Sequence, residues 1–196
     1  MLAAVILAGG ESRRMGSPKA LLRYQGKTFL EHLLLVTEHP GIGVRRVVLG
    51  ADAEAITAAV PLAAEEIVVN EEWRLGTLSS LHAGLRSLPA GTDGVLMCLV
   101  DHPMVSARLV DELIQAFYSL RKKIVIPVCG GRRGHPVIFA AELYPELLAA
   151  PMEVGARAVV WAHGGDVAEV QTEDDGCLLN VNDAEALARL SGNESL

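Results

Sequence analysis

The stretch LAAVILAGGESRRMGSPK, residues 2–19, decides how this chain is read. Residues 2 to 8 form an unbroken apolar run containing the β-branched Val5 and Ile6, which is how a central parallel strand covered on both faces looks. Gly9 and Gly10 end that run, and Arg13, Arg14 and Lys19 follow, three cations within seven residues. A core needs none of these, because glycine loses the most backbone entropy on folding and exposed cations bury nothing. A glycine loop leaving a strand does suit a polyanion: backbone N–H groups can approach phosphate oxygens closely while the cations supply opposite charge. The spacing is not that of the P-loop, which requires GxxxxGK and then Ser or Thr, since Gly10 and Gly16 lead into Ser17, Pro18 and Lys19. Nor is it a dinucleotide-binding fingerprint.

Outward from this loop, strands and helices alternate. TFLEHLLLVT, residues 28–37, has helical spacing, with Thr28 as N-cap and Glu31 completing a capping box, and Pro40 and Gly41 stop it. RRVVLG reads as a strand, ADAEAITAAV as a helix, EEIVV as a short strand and TLSSLHAGLRSL as a helix closed by Pro89 and Gly91. GVLMCLV, residues 94–100, is another buried strand, Ser106 to Leu120 a helix capped by Ser106, and KIVIPV the strand after it. Such alternation implies an α/β fold with a parallel sheet and right-handed crossovers. After Pro127 the pattern changes. CGGRRGHP is a polar glycine loop, and VIF is expected to pair antiparallel to the preceding strand as a lobe over the site. Helical periodicity returns around 140–149 and 153–163, followed by a strand-like VAEVQT, a turn at Asp174 to Gly176, and CLLNVN leading into a last helix from Asp183. With no linker, repeat or low-complexity tract, residues 1–196 read as a single domain.

Half the residues are hydrophobic, which suits a sheet covered on both faces, and the net charge of -7 argues against a broad grip on nucleic acid. Cys98, Cys129 and Cys177 are odd in number and widely spaced, so they read as apolar fillers in a reducing compartment rather than a disulfide framework or metal knuckle. Trp73 and Trp161 read as packing residues. The N-terminal MLAAVILAGG lacks the basic leading region of a signal peptide, and no apolar run approaches the ~20 residues of a spanning helix. The expectation is a cytoplasmic protein with neither membrane nor nucleic-acid partner.

Ligands in open α/β sheets bind beyond the carboxyl ends of the strands, where residues 9–19, Asp101 and the run from Asn180 all fall, so these are expected to converge. LAGGESRRMGSPK resembles the opening LAxGxSxRMGxxK of the MobA-like nucleotidyltransferases, which include the molybdenum-cofactor guanylyl- and cytidylyltransferases. LGTLSSLHAGL, LVDHPMV and GRRGHPVIF are similar to the cytidylyltransferase branch, and with LLNVNDAEAL the resemblance spans nearly the whole chain. It implies a Rossmann-like three-layer sandwich with a mostly parallel sheet and a small antiparallel extension. It also implies Mg²⁺-assisted transfer of a nucleoside monophosphate from a nucleoside triphosphate to the phosphate of a pterin-type acceptor, with release of pyrophosphate. A molybdoenzyme or chaperone is the implied protein partner. The alternatives are a transferase for a sugar phosphate or other small phosphorylated acceptor, and a nucleotide-binding regulator without turnover.

By the same resemblance, Leu7, Ala8, Gly9 and Gly10 would wrap the triphosphate, Arg13 or Arg14 would hold its β- and γ-phosphates, and Lys19 would contact the α-phosphate. Lys19, Arg13 and Asp101 are the expected catalytic residues. Asp101 would carry Mg²⁺ or else cap the turn before the next helix. Asn182 stands where the family often has a second metal aspartate, and its carbonyl can coordinate Mg²⁺ but adds no charge. Gly76 and Thr77 would meet the base; Ser79 and Ser80 would do the same or serve only as helix-start hydroxyls. Gly134, His135 and Pro136 would bind the acceptor, with His135 positioning it rather than taking a proton, because a phosphate is already ionised near neutral pH. Glycine at position 9 looks like the guanylyl branch, whereas GTLSSL and GHPVIF look like the cytidylyl branch. CTP is favoured over GTP.

Overall fold

A computed structural model describes residues 1–11, 16–182 and 186. The chain runs through Leu2–Ala8 (β1), Arg23–Tyr24 (β2), Lys27–Thr28 (β3), Phe29–Val36 (α1), Ile42–Leu49 (β4), Ala53–Ala59 (α2), Ile67–Val69 (β5), Thr77–Arg86 (α3) and Gly94–Leu99 (β6). It continues through Ala107–Leu120 (α4), Ile124–Cys129 (β7), Arg132–Arg133 (β8), Val137–Ala140 (β9), Tyr144–Ala149 (α5), Arg157–Ala162 (α6) and Val167–Gln171 (β10). The main sheet is ordered β10-β7-β9-β6-β1-β4-β5, with β8 paired to β7. All its pairings are parallel except those made by β8 and β9. The chain lays β4 and β5 on one side of β1 and returns with β6 on the other, so the strand order reverses at β1. That reversal opens a crevice at the carboxyl ends of β1 and β6, the usual ligand position in such sheets.

Both sheet faces are apolar because successive side chains of a strand point opposite ways. In β1, Leu2 and Ile6 join a cluster with Phe29, Leu30 and Leu33 of α1, Ile56 of α2, and Leu109 and Leu113 of α4. Val5 and Leu7 join a second cluster with Leu81 and Leu85 of α3, Leu147 of α5 and Val159 of α6. Each fully buried Leu or Phe of this kind contributes about 1.5–3 kcal/mol relative to exposure, which makes three layers the stable solution. The helix starts follow the sequence. Thr28 Oγ1 accepts the Glu31 N–H at 3.1 Å while the Glu31 carboxylate accepts the Thr28 N–H at 2.6 Å, and Ser106 Oγ accepts the Leu109 N–H at 3.1 Å. Each such cap contributes about 1 kcal/mol.

Three features differ from the sequence reading. β9 lies between β6 and β7, inside the sheet, rather than in a lobe over the site. Its four residues are all buried, and a strand apolar on both faces belongs in the interior. Residues 23–28 form the β2/β3 hairpin, whose Gln25-Gly26 corner has positive φ at both positions but lacks the Asn or Asp that marks such turns in sequence. β4 begins at Ile42, three residues before the expected RRVVLG, because Leu2 of β1 has a partner there. The expected last helix from Asp183 lies outside the described residues. No helix among the described residues is long and apolar enough to cross a membrane.

Candidate functional site

Beyond the carboxyl ends of β1 and β6 lies a cavity of about 230 Å³. Leu7, Ala8, Gly9 and Gly10 form one wall, Gly76, Thr77 and Ser80 a second, and Lys19, Val100 and Asp101 the floor. Gly9 is fixed by close approach: a Cβ there would stand 2.8 Å from Ser80 Oγ. Asp101 is held by the sheet end, with the Val100 N–H donating to Leu7 O at 3.1 Å and the Val181 N–H to Asp101 O at 2.8 Å. That second bond lays the chain before Asn182 against the β6 end. Lys19 opens a short 3-10 turn after Pro18. Its Nζ donates to Asp101 Oδ2 at 3.3 Å and to Asn182 Oδ1 at 2.5 Å. Three segments separated by 82 and 163 residues thus meet around one ammonium group, whose side chain and that of Asp101 are only about one-fifth exposed.

The donor set suits a hard cation. Asp101 and Asn182 present carboxylate and amide oxygens, the ligand type of Mg²⁺, which usually completes its shell with substrate phosphates and water. Among the described residues no three His, Cys, Asp or Glu side chains gather into a site that could hold a metal ion unaided. Asp101 and Asn182 would leave most of an octahedral shell to phosphate oxygens and water.

A second cleft of about 550 Å³ adjoins the first, sharing Thr77 and Leu99. Its walls are largely apolar, from Leu78, Leu81, Met97, Ile126, Val137, Phe139 and Val160, with Arg133, His135, Arg157 and Trp161 adding polar and aromatic surface. Gly134 is required by its neighbour: its N–H donates to Pro127 O at 2.9 Å, and a Cβ would stand 2.5 Å from Cys177 O. The His135 N–H donates to that same Cys177 oxygen at 2.9 Å. The His135 and His102 rings lie 5.1 Å apart, and the Nδ1 atom of each is buried with no hydrogen-bond partner among the described residues. Burial, reinforced by the neighbouring His102, pushes His135 down to about 4, so its imidazole is neutral at neutral pH and a poor proton acceptor. Burial also lowers His102, against the opposing pull of the Asp101 carboxylate.

The expected residues sort clearly. Leu7, Ala8, Gly9, Gly10, Lys19, Gly76, Thr77, Ser80 and Asp101 line the first cavity, Asn182 bonds Lys19 beside it, and Gly134 and His135 line the second cleft. Arg13 and Arg14 lie outside the described residues. Ser79 stands behind the wall instead of on it: its hydroxyl donates to Gly76 O and Glu72 O, at 2.8 and 2.9 Å, and accepts from Asn70. Pro136 packs with Leu33, Cys98 and Val105, away from the cleft. Trp161 differs from a packing role, being 67% exposed at the second cleft, whereas Trp73 is half-buried against Gly50 and also lines the first cavity, with the Arg74 guanidinium 4.2 Å over its ring. On α6 the buried residue is Val159, two positions from Trp161 and so on another side of the helix, a phase that the short apolar run RAVVWA hides. Cys98 and Cys177 are buried and all three cysteines are unpaired; burial raises the two thiols to about 12 and about 11, so neither is a ready nucleophile.

Residues 4–167 match the family described as the MobA-like NTP transferase domain. A Paenarthrobacter nicotinovorans protein named nicotine blue oxidoreductase is 33% identical over 199 residues, covering 95% of this chain and 94% of its own. A Mycobacterium marinum protein named probable molybdenum cofactor guanylyltransferase is 32% identical over 191 residues, covering 95% and 91%. The crystal structure of Rv0371c from Mycobacterium tuberculosis superposes with a TM-score of 0.85 at 28% identity, each chain covered in full. A complex of that protein with manganese superposes at 0.77 and 25% identity, covering 100% and 99%. Sequence and fold agree over a span that includes the glycine loop, Lys19, Asp101 and both clefts, and the chain belongs to the MobA-like NTP transferase family.

Proposed function

We propose that this chain transfers a nucleoside monophosphate from a nucleoside triphosphate, CTP in preference to GTP, to the phosphate of a molybdopterin-type acceptor, releasing pyrophosphate. One observation carries the reading: Lys19 Nζ lies between Asp101 and Asn182 at the floor of a glycine-walled cavity. The triphosphate enters along Gly9 and Gly10, and by the family resemblance Arg13 or Arg14, which lie outside the described residues, would hold its β- and γ-phosphates. Lys19 turns from Asp101 to the α-phosphate oxygens, where negative charge grows as the acceptor oxygen forms its bond to phosphorus and the bond to the departing pyrophosphate breaks. Asp101 and Asn182 would hold Mg²⁺, which when bound would neutralise phosphate oxygens; the manganese complex of the M. tuberculosis relative supports a divalent cation in this fold. His135 and Gly134 position the acceptor in the apolar second cleft, so that its phosphate reaches the first cavity past Thr77 and Leu99.

The segments GTLSSL and GHPVIF support CTP, while the guanylyltransferase names of the mycobacterial relatives make GTP the competing donor. Pyrophosphate release, with mass spectrometry of the dinucleotide formed from CTP or GTP and a phosphorylated pterin acceptor, tests the reading. Release with CTP ahead of GTP is expected. Binding of both nucleotides with no turnover over a range of acceptors would favour a regulator instead. A second reading, oxidoreduction of nicotine blue, is favoured by the name of the Paenarthrobacter relative and by the apolar cleft with its exposed Trp161. Loss of the colour of nicotine blue with an added electron donor, in the absence of any nucleotide transfer, would select it.

A further inference from the structure

Asn70 follows β5 and is buried, its backbone N–H donating to Leu49 O at 2.8 Å at the end of β4. Its side chain faces the start of α3. The Glu72 N–H donates to Asn70 Oδ1 at 3.0 Å, which fixes the amide orientation, because a flipped amide would set NH₂ against N–H. Nδ2 then donates to Ser79 Oγ at 2.9 Å and to Ser80 Oγ at 3.1 Å, using both its hydrogens. Neither serine can donate back. Ser79 sends its proton to the carbonyls of Gly76 and Glu72. Ser80 has no protein acceptor for its proton among the described residues, yet it is only 4% exposed and lines the first cavity.

From this geometry we infer that Asn70 is a positioning residue that turns Ser80 into an obligate hydrogen-bond donor toward the nucleotide, selecting bases that offer a carbonyl oxygen at that edge. The inference rests on the nucleotidyltransferase reading and adds to it a determinant of base choice. A buried hydroxyl proton left without an acceptor is costly. Cytosine and guanine carry a carbonyl; adenine does not, and its amino group opposite Ser80 would leave that proton unmatched. Gly9 belongs to the same device, since any Cβ at position 9 would press on Ser80 Oγ.

The test is equilibrium binding of CTP, GTP, ATP and inorganic tripolyphosphate to wild type, Ser80→Ala and Asn70→Ala, with thermal unfolding of each protein. The preference for CTP or GTP over ATP should fall about three- to tenfold in both variants, the loss of one hydrogen bond, while tripolyphosphate affinity stays unchanged. Should Asn70→Ala unfold, Asn70→Asp, equal in shape, carries the test: its carboxylate would draw the Ser80 proton inward and abolish the preference as fully as Ser80→Ala. An unaltered preference in Ser80→Ala, or an equal loss for tripolyphosphate, would overturn the inference and leave the transferase reading standing. A wild type that binds no nucleoside triphosphate would remove that reading, and this inference with it.

Discussion

Replacing Lys19 by alanine is the most direct perturbation of the site. Its ammonium group faces Asp101 Oδ2 at 3.3 Å and Asn182 Oδ1 at 2.5 Å, with about one-fifth of each charged side chain exposed. At an effective dielectric of about 20 the ion pair alone is worth roughly 5 kcal/mol of attraction, most of which is offset by desolvation of both groups. The net cost to the unliganded fold is that of one charge-assisted hydrogen bond, about 2 kcal/mol. The cost to turnover is larger, because the α-phosphate loses a fixed cation where charge develops; removal of one such donor lowers kcat by about 10²–10³. Nucleotide affinity, spread over the glycine loop and the arginines, should fall less than about tenfold. Single-turnover pyrophosphate release and nucleotide titration, both at a temperature where thermal melts show the variant fully folded, separate the three effects. A folded Lys19→Ala protein whose kcat stays within about threefold of wild type would refute the assignment of Lys19 to the reacting phosphate.

Asp101→Asn should raise the Mg²⁺ concentration needed for half-maximal rate by about tenfold or more, read from a metal titration of pyrophosphate release; an unchanged midpoint would free Asp101 of any metal role. His135 ties stability to acid. Its folded value of about 4 lies below the ordinary 6.5, so the unfolded chain takes the proton first as pH falls. The stability it contributes is complete above about pH 6.5 and is lost toward pH 4, on the order of 3 kcal/mol across that window. Urea unfolding at several pH values should show a steeper fall of stability toward acid in wild type than in His135→Gln, where the contribution of the buried His102 remains; equal slopes would contradict it. Gly134→Ala should cost about 1–3 kcal/mol through the 2.5 Å approach to Cys177 O, and should raise the acceptor KM as the loop shifts; an unaltered melting temperature would show that the backbones can part freely.

The sequence carried most of the parallel framework because β1, β6 and β7 are continuous apolar runs, β4 ends in the buried Val47 to Leu49, and the helices announce themselves with Thr28, Glu31 and Ser106. The convergence of Lys19, Asp101 and Asn182 was legible for the same reason, since residues 9–19, Asp101 and the run from Asn180 fall beyond expected strand ends, while the roles of the three come from the family resemblance. What escaped depends on neighbours distant in sequence. Ser79 and Ser80 are adjacent and chemically identical, and only Asn70 and the α3 register make one a structural hydroxyl and the other part of a cavity wall. Trp161 shows the same limit, because six helical residues hold too little periodicity to say which side faces the cleft.

The reversed strand β9 explains how one sheet edge can serve two substrates. Parallel strands all present their carboxyl ends to the same edge, so each contributes only the loop that leaves it. A strand of opposite direction presents its amino end there instead, and the residues that enter it become part of the same edge. Residues 130–136 are such an entry: they leave β7 at the site, pass through the two-residue strand β8 and turn into β9 without a crossover helix. Because β9 pairs directly with β6, the loop carrying Gly134 and His135 is laid beside the segment carrying Leu99 and Asp101. The second cleft therefore opens against the first along Thr77 and Leu99, and on the proposed reading strand pairing would set the spacing between a bound nucleotide and its acceptor. Geometry fixed in this way would bring the two reacting groups of the proposed transfer together before any charge is neutralised, and it sets the arginine-bearing, apolar cleft, whose surface differs most from that of the glycine-walled cavity, where the proposed acceptor's identity would be read.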